Sequence, residues 1–250
     1  MKPGPQAQRS VAGPRGSRRR VLKGLGSLAA LTATRGVAAR VQVRVGVVGC
    51  GIVGAAVAAH LAEAGAQVLL FERREPAAGA TRNSFAWLNA YVDDDHYRRL
   101  RLASMAAYHR LDALLGLGIR WAGYLNWAAD AAGSRIVAAN AAQMQPTSYP
   151  VRSLSGAELA ALYPMLRTGP VDSAFWSSID GHLDPVHATQ CFLARARRLG
   201  ARVLMPCTVE RLALRAGGLA GVHTSQGWQA LDHLVIAAGV EAPALLAPTG

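Results

Sequence analysis

The segment VGVVGCGIVGAAVAAHLAEAGAQVLLFE, residues 45–72, restricts this chain more than any other. A valine-rich run over residues 41–48 has the composition of a buried parallel strand. Gly49-Cys50-Gly51-Ile52-Val53-Gly54 follows and spells G-x-G-x-x-G. Gly49 allows the tight turn, Gly51 lets a pyrophosphate approach the backbone, and Gly54 lets helix and strand pack closely. A helix is expected over residues 52–64, its N-terminal amides and dipole facing an anion, with Gly65 as its stop. A second strand over residues 67–71 ends at Glu72, 18 residues beyond Gly54. A carboxylate at that spacing accepts hydrogen bonds from ribose hydroxyls and repels a 2′-phosphate, which disfavours NADP. Strand, glycine turn, helix, strand and acid together point to a dinucleotide. They do not separate NAD from FAD.

The chain has 250 residues, 51% of them hydrophobic, so a sizeable core is possible. Its net charge of +12 suggests nucleic acid, but the charge is misplaced for that role. Eight of the basic residues and no acid lie in residues 1–39, so without them the balance falls to +4. The basicity belongs to a leader, and no nucleic-acid partner is expected. That leader, SRRRVLKGLGSLAALTATRGVAAR, resembles a twin-arginine export signal: Arg18-Arg19-Arg20, a weakly apolar stretch, then Val37-Ala38-Ala39 as a cleavage site. It implies a periplasmic protein, and a basic tail on a cytoplasmic one is the alternative. The apolar stretch is too short to span a bilayer, so no integral membrane segment is expected. Cys50, Cys191 and Cys207 form no C-x-x-C and are read as unpaired thiols.

The residues after Glu72, RREPAAGATRNSFAWLNA, do not read as the third strand of a simple NAD domain. They resemble the flavin-side loop of the D-amino-acid-oxidase-like (glycine oxidase/sarcosine oxidase) family of FAD-dependent oxidoreductases. Later segments agree with that resemblance, which covers about residues 43–246. Asp184 reads as an N-cap with Pro185 at the first helical position, opening a helix to about Leu199 that Gly200 closes. A strand follows over residues 201–204. A β-meander turns at Gly217-Gly218 and Gln226-Gly227, and a buried strand over residues 234–238 ends at Gly239.

The resemblance implies an α/β fold: a Rossmann-like FAD-binding domain with an inserted α+β substrate domain, incomplete at its C-terminal side. The expected order is a leader (1–39), a first FAD-binding part (40–92), part of the substrate domain (93–176) and a second FAD-binding part (177–250). The residues it places on FAD are Gly49, Gly51, Ile52, Val53, Gly54, Glu72, Arg73, Ala80, Thr81, Asn83, Ser84, Val209, Ala238 and Gly239. Thr208-Val209 stands where a backbone amide meets the adenine. Some members attach FAD through a His in the loop after the acid. Here that place holds Asn83-Ser84-Phe85, which implies non-covalent FAD.

The implied activity is oxidation of a C–N bond in an amine or amino acid by hydride transfer to flavin, with oxygen or a quinone-type acceptor taking the electrons. Family members continue well beyond Gly239, and the Arg or Tyr that grips a substrate carboxylate usually lies there. A non-catalytic FAD-binding fragment is therefore the alternative, and an NAD-dependent dehydrogenase a weaker one. No catalytic residue is assigned, and no metal is expected. His96, His109, His182 and His187 carry no motif and read as helix-face or surface residues. Asp93-Asp94-Asp95 reads as a helix N-terminus rather than a metal site.

The middle of the chain is read coarsely. A helix is expected over residues 93–115 and extended chain over 119–126. Ser155-Gly156-Ala157-Glu158 is a capping box opening a short helix before Pro164. SAFWSSIDG reads as a strand returning to the FAD domain. Trp121, Tyr124 and Trp127 fit either a pocket lining or core packing.

Overall fold

A computed structural model of the chain describes residues 42–216 and 218–247. The leader and Gly217 lie outside the described residues. In chain order the elements begin with β1 (Arg44–Val48), α1 (Ile52–Glu63), β2 (Gln67–Phe71), β3 (Trp87–Leu88) and α2 (Asp95–Leu115). Next come β4 (Tyr124–Trp127), α3 (Ala131–Met144), β5 (Arg152–Leu154), α4 (Gly156–Leu162), β6 (Ala174–Ser177) and β7 (Gly181–His182). The last are α5 (Pro185–Arg198), β8 (Arg202–Leu204), β9 (Val209–Arg215), β10 (Gly218–Thr224), β11 (Gly227–Ala230), β12 (His233–Ile236) and α6 (Ala242–Leu246).

A four-stranded parallel sheet in the order β12-β1-β2-β8 organises the nucleotide side. Its strands read as apolar runs because both faces are covered. On one face α1 and α5 pack together over Val47, Val68 and Leu70, with Ala55, Ala58, Ala59 and Ala62 against Phe192, Leu193 and Ala196. The alanines keep the layer thin, and the larger α5 side chains fill it. Each fully buried Val or Leu here contributes about 1.5–3 kcal/mol. On the other face the meander β9-β10-β11 covers Val48, Leu69 and Phe71 through Val222 and Leu231. The parallel sheet, the two helices and the meander are the Rossmann-like half that the glycine turn anticipates.

Between β2 and α5 lies the insertion. A three-stranded antiparallel sheet, β4-β6-β5, carries α3 through Val137, Ala141 and Phe175, and α4 through Leu154, Leu159 and Ala174. Two short contacts tie it back: β3 pairs with β7, and Arg120 bridges His182. The far end of α2 packs on the nucleotide side, where Tyr108, Leu111 and Leu115 meet the first core.

Several boundaries move. The α2 helix starts at Asp95, because Asp94 is its N-cap and accepts from Tyr97 N–H at 2.6 Å. The extended chain expected over 119–126 is regular strand only from Tyr124. The α3 helix was not anticipated. Its one start signal, Asp130 accepting from Ala132 and Gly133 amides, precedes a run with little apolar periodicity. The last sheet strand ends at Ile236 rather than Ala238, and a 3-10 turn over Gly239–Glu241 leads into α6.

The Asp184 cap stands as expected, accepting from Val186 and His187 amides at 2.8 and 3.1 Å. Asp184→Ala should cost about 1 kcal/mol, the usual loss for an N-cap. A fall of about 2–4 °C in a thermal melt is the expected reading for a protein of this size. An unchanged melting temperature would show that Pro185 suffices to start α5.

Candidate functional site

The carboxyl ends of β1, β2 and β12 open into a cleft of ≈ 820 Å³, at the place where open parallel sheets take their ligands. The glycine turn forms its floor. Gly49 donates its amide to Phe71 O at 2.9 Å and sits at φ +99°, a conformation that favours glycine. A β-carbon on Gly54 would lie 1.9 Å from Gly49 O, so only glycine lets α1 start this close to β1. Gly54 is buried and supports the turn from behind without lining the cleft.

The first turn of α1 has no side-chain cap at Gly51 and no acid. Its Ile52 amide donates to Thr81 Oγ1 at 3.1 Å. A β-carbon on Gly51 would lie 2.9 Å from that same oxygen. The bare Gly51 therefore admits Thr81 as well as keeping the approach to the helix end open.

Glu72 does more than the spacing implied. Its Oε2 accepts from Cys50 N–H at 2.9 Å and its Oε1 from Arg74 N–H at 2.8 Å. The acid braces the glycine turn while standing in the cleft wall. Cys50 is wholly buried, and burial, then the Glu72 charge, push its thiol up to about 12. It is a packing residue.

Of the residues assigned from sequence, Gly49, Gly51, Ile52, Val53, Glu72, Arg73, Ala80, Thr81, Ser84, Val209, Ala238 and Gly239 share this cleft. Two do not line it. One is Gly54. The other is Asn83, whose amide turns back to donate to Gly79 O at 3.2 Å and closes the loop on itself. Sequence reasoning missed Arg74, Glu210 and Glu241, which also line the cleft, as does Thr208, set beside Val209 from the sequence. Glu241 forms an ion pair with Arg73. No motif marks them, since chain folding alone brings them together.

The histidines stand elsewhere. His96 and His182 are exposed. His109 stacks on Trp121 at 3.8 Å between ring centres. His187 contacts Gly116 O at 2.9 Å and lies 3.4 Å from Cys191 Sγ. None lines the cleft. Asp95 is engaged by Arg98 and Arg99. No group of three or more His, Cys, Asp or Glu that could hold a metal occurs among the described residues. Among them too, no helix is long and apolar enough to cross a membrane.

The family model for FAD dependent oxidoreductases matches residues 44–250. The chain belongs to that family. Among curated relatives, human dimethylglycine dehydrogenase is 28% identical over 199 residues, 77% of this chain and 23% of the relative. Glycine oxidase of Bacillus licheniformis is 30% identical over 213 residues, 82% of this chain and 56% of the relative. The crystal structure of glycine oxidase from Bacillus cereus superposes with a TM-score of 0.77 at 24% identity, over 83% of this chain and 58% of that one. The chain thus spans 23% to 58% of the length of these three proteins.

An FAD-dependent family requires a place for FAD, and the cleft suits it. It has a helix N-terminus whose N-cap, Gly51, supplies no side chain, a tight glycine turn, and a size typical of ligand sites.

Proposed function

We propose that this chain holds FAD non-covalently in the cleft and forms the nucleotide-binding part of an oxidoreductase acting on C–N bonds of amines or amino acids. The observation that carries the reading is the convergence of the glycine turn, the Ile52–Thr81 contact and Glu72 on one cleft. The α1 amides would meet the pyrophosphate, and Glu72, with an accepting lone pair left on each oxygen, the adenosine ribose. Arg73, Ala80, Ser84, Ala238 and Gly239 would line the cofactor, with Val209 beside the adenine. Bound there, FAD supplies a hydride acceptor, to be reoxidised by oxygen or a quinone-type acceptor. The names of the relatives, dimethylglycine dehydrogenase and glycine oxidase, support an amine or amino-acid substrate.

The test is spectral. Purified protein, saturated with FAD, desalted and heat-denatured, should release flavin near one equivalent into the supernatant. Flavin that stays with the precipitate refutes non-covalent attachment. No retained flavin in either fraction refutes the FAD reading.

We also propose export by the twin-arginine route, on the strength of the Arg18-Arg19 pair and the residues after it. Full-length protein should be recovered from the periplasm, and changing Arg18 and Arg19 to Lys should abolish that recovery. Export that persists in the double variant refutes the assignment.

A further inference from the structure

Asp180 is wholly buried in the turn between β6 and β7, away from the cleft. A carboxylate there is expensive unless several donors reach it. Three side chains from three segments do. Trp87 Nε1–H donates to Oδ2 at 2.9 Å. Tyr149 O–H donates to Oδ1 at 2.9 Å, and Ser177 O–H to the same oxygen at 3.5 Å. The Asp180 carbonyl accepts a fourth bond, from Gly123 N–H at 2.9 Å. Tyr149, Ser177 and Gly123 belong to the insertion. Trp87 alone belongs to the segment that comes from the cleft.

That segment, residues 79–88, supplies Gly79, Ala80, Thr81 and Ser84 to the cleft wall. It is held at two ends. At the cleft end, Thr81 Oγ1 receives the Ile52 amide. At the other, the Trp87–Leu88 backbone pairs with β7, and the Trp87 indole is fixed by Asp180 and lies against Tyr124, 4.5 Å between ring centres. Between the two anchors Ala86 sits at φ +52°, and Phe85 is 88% exposed. A non-glycine residue in the left-handed region costs about 1 kcal/mol and persists only where its surroundings impose it. Here the Ala86 amide donates to Ser84 Oγ at 3.0 Å, between the two anchors.

We propose that Asp180 is a positioning residue: by holding the Trp87 indole it fixes the 79–88 segment as the wall of the cofactor cleft. It acts through Trp87 and touches no cofactor. A neutral side chain would fill the same space, and the carboxylate adds the capacity to accept donors from separate segments at once. The cofactor part of the proposal rests on the FAD reading above.

The experiment uses the whole chain, with and without FAD. Asp180→Leu keeps roughly the volume and removes both acceptors, and Trp87→Phe keeps an aromatic ring while deleting the donor. In FAD-free protein, hydrogen exchange of residues 79–88 should quicken about tenfold in each variant, the scale of one lost hydrogen bond. Exchange in β1 and α1 should not change. The double variant should exchange no faster than either single one, since both remove the same contact. FAD affinity should weaken about five- to tenfold in all three. Unchanged exchange in 79–88, additive single effects, or equal acceleration in β1 and α1 overturns the proposal. Exchange that responds as stated in a parent chain that binds no FAD overturns the cofactor reading and leaves the anchoring of the segment established.

Discussion

Replacing Gly54 with alanine is expected to remove FAD binding almost completely. The added β-carbon would lie 1.9 Å from Gly49 O and 3.0 Å from Gly49 C, both backbone atoms in the turn. No rotamer change relieves a clash with backbone. Either α1 lifts off the sheet or the turn shifts, and both displace Gly51 and Ile52 from the position that an anion needs. Forcing extra volume into a packed site costs about 1–3 kcal/mol. If that strain falls on the bound state, affinity drops up to about 100-fold, at about 1.4 kcal/mol per decade. Gly51→Ala gives the comparison. Its β-carbon would meet only Thr81 Oγ1, the end of a side chain that can rotate away. That variant should lose the Ile52–Thr81 bond and some affinity while keeping nearly the parental melting temperature. Fluorescence titration with FAD and a thermal melt read both. A Gly54→Ala protein that binds FAD within threefold of the parent would sink the account of this glycine.

These contrasts also explain what the sequence displays and what it hides. Backbone demands are written locally: the Gly49 turn, the Gly54 approach, the Asp184 cap and the Ser155–Glu158 box each sit within a few residues of what they control. The glycine turn and Gly65 bracket α1, continuous apolar runs mark β1 and β2, and only α5 adds an apolar face to its cap. The α3 helix is hidden because alanine on all sides leaves no apolar stripe to read, so its packing on Phe175 decides it. The cleft residues on the second crossing, Glu210 and Glu241, are hidden for another reason. They reach the glycine turn only because β12 pairs with β1 and the meander covers the sheet. Asn83 shows the converse case: a loop position that matches a family motif stands outside the cleft lining, its amide donating to Gly79 O.

Asp180 offers the second large effect, and its sign is unusual for a carboxylate. Burial pushes it from the ordinary Asp value up to about 6, against the pull of the Tyr149, Trp87 and Ser177 hydrogen bonds. The titratable neighbours facing it are Tyr149 and Tyr124, both raised above the usual tyrosine range by burial and so neutral below pH 8. The unfolded chain titrates this group near pH 4. The folded chain therefore binds the proton more tightly. Its contribution to stability is complete below about pH 4 and is lost as pH rises through about 6. A shift of about two pH units corresponds to about 3 kcal/mol between these limits.

Asp180→Asn abolishes this titration while leaving the other acids in place. Glu63, Glu158 and Asp232 are held below the usual range by Arg195, by Ser155 and by Arg44 respectively, so they favour folding at higher pH. Their effect is common to both proteins and cancels in the difference. The melting temperature of Asp180→Asn relative to the parent should therefore rise between pH 4 and pH 7 by about 6–12 °C, at about 2–4 °C per kcal/mol for this size. At pH 4 the two proteins should differ least, because both side chains are then neutral and the Asn amide oxygen can still accept from Trp87 while its NH2 faces the Tyr149 and Ser177 hydroxyls. Calorimetric melts at pH 4, 5, 6 and 7 test this directly. Parallel curves for the two proteins would mean that Asp180 titrates normally in the folded state, and that its three donors outweigh its burial.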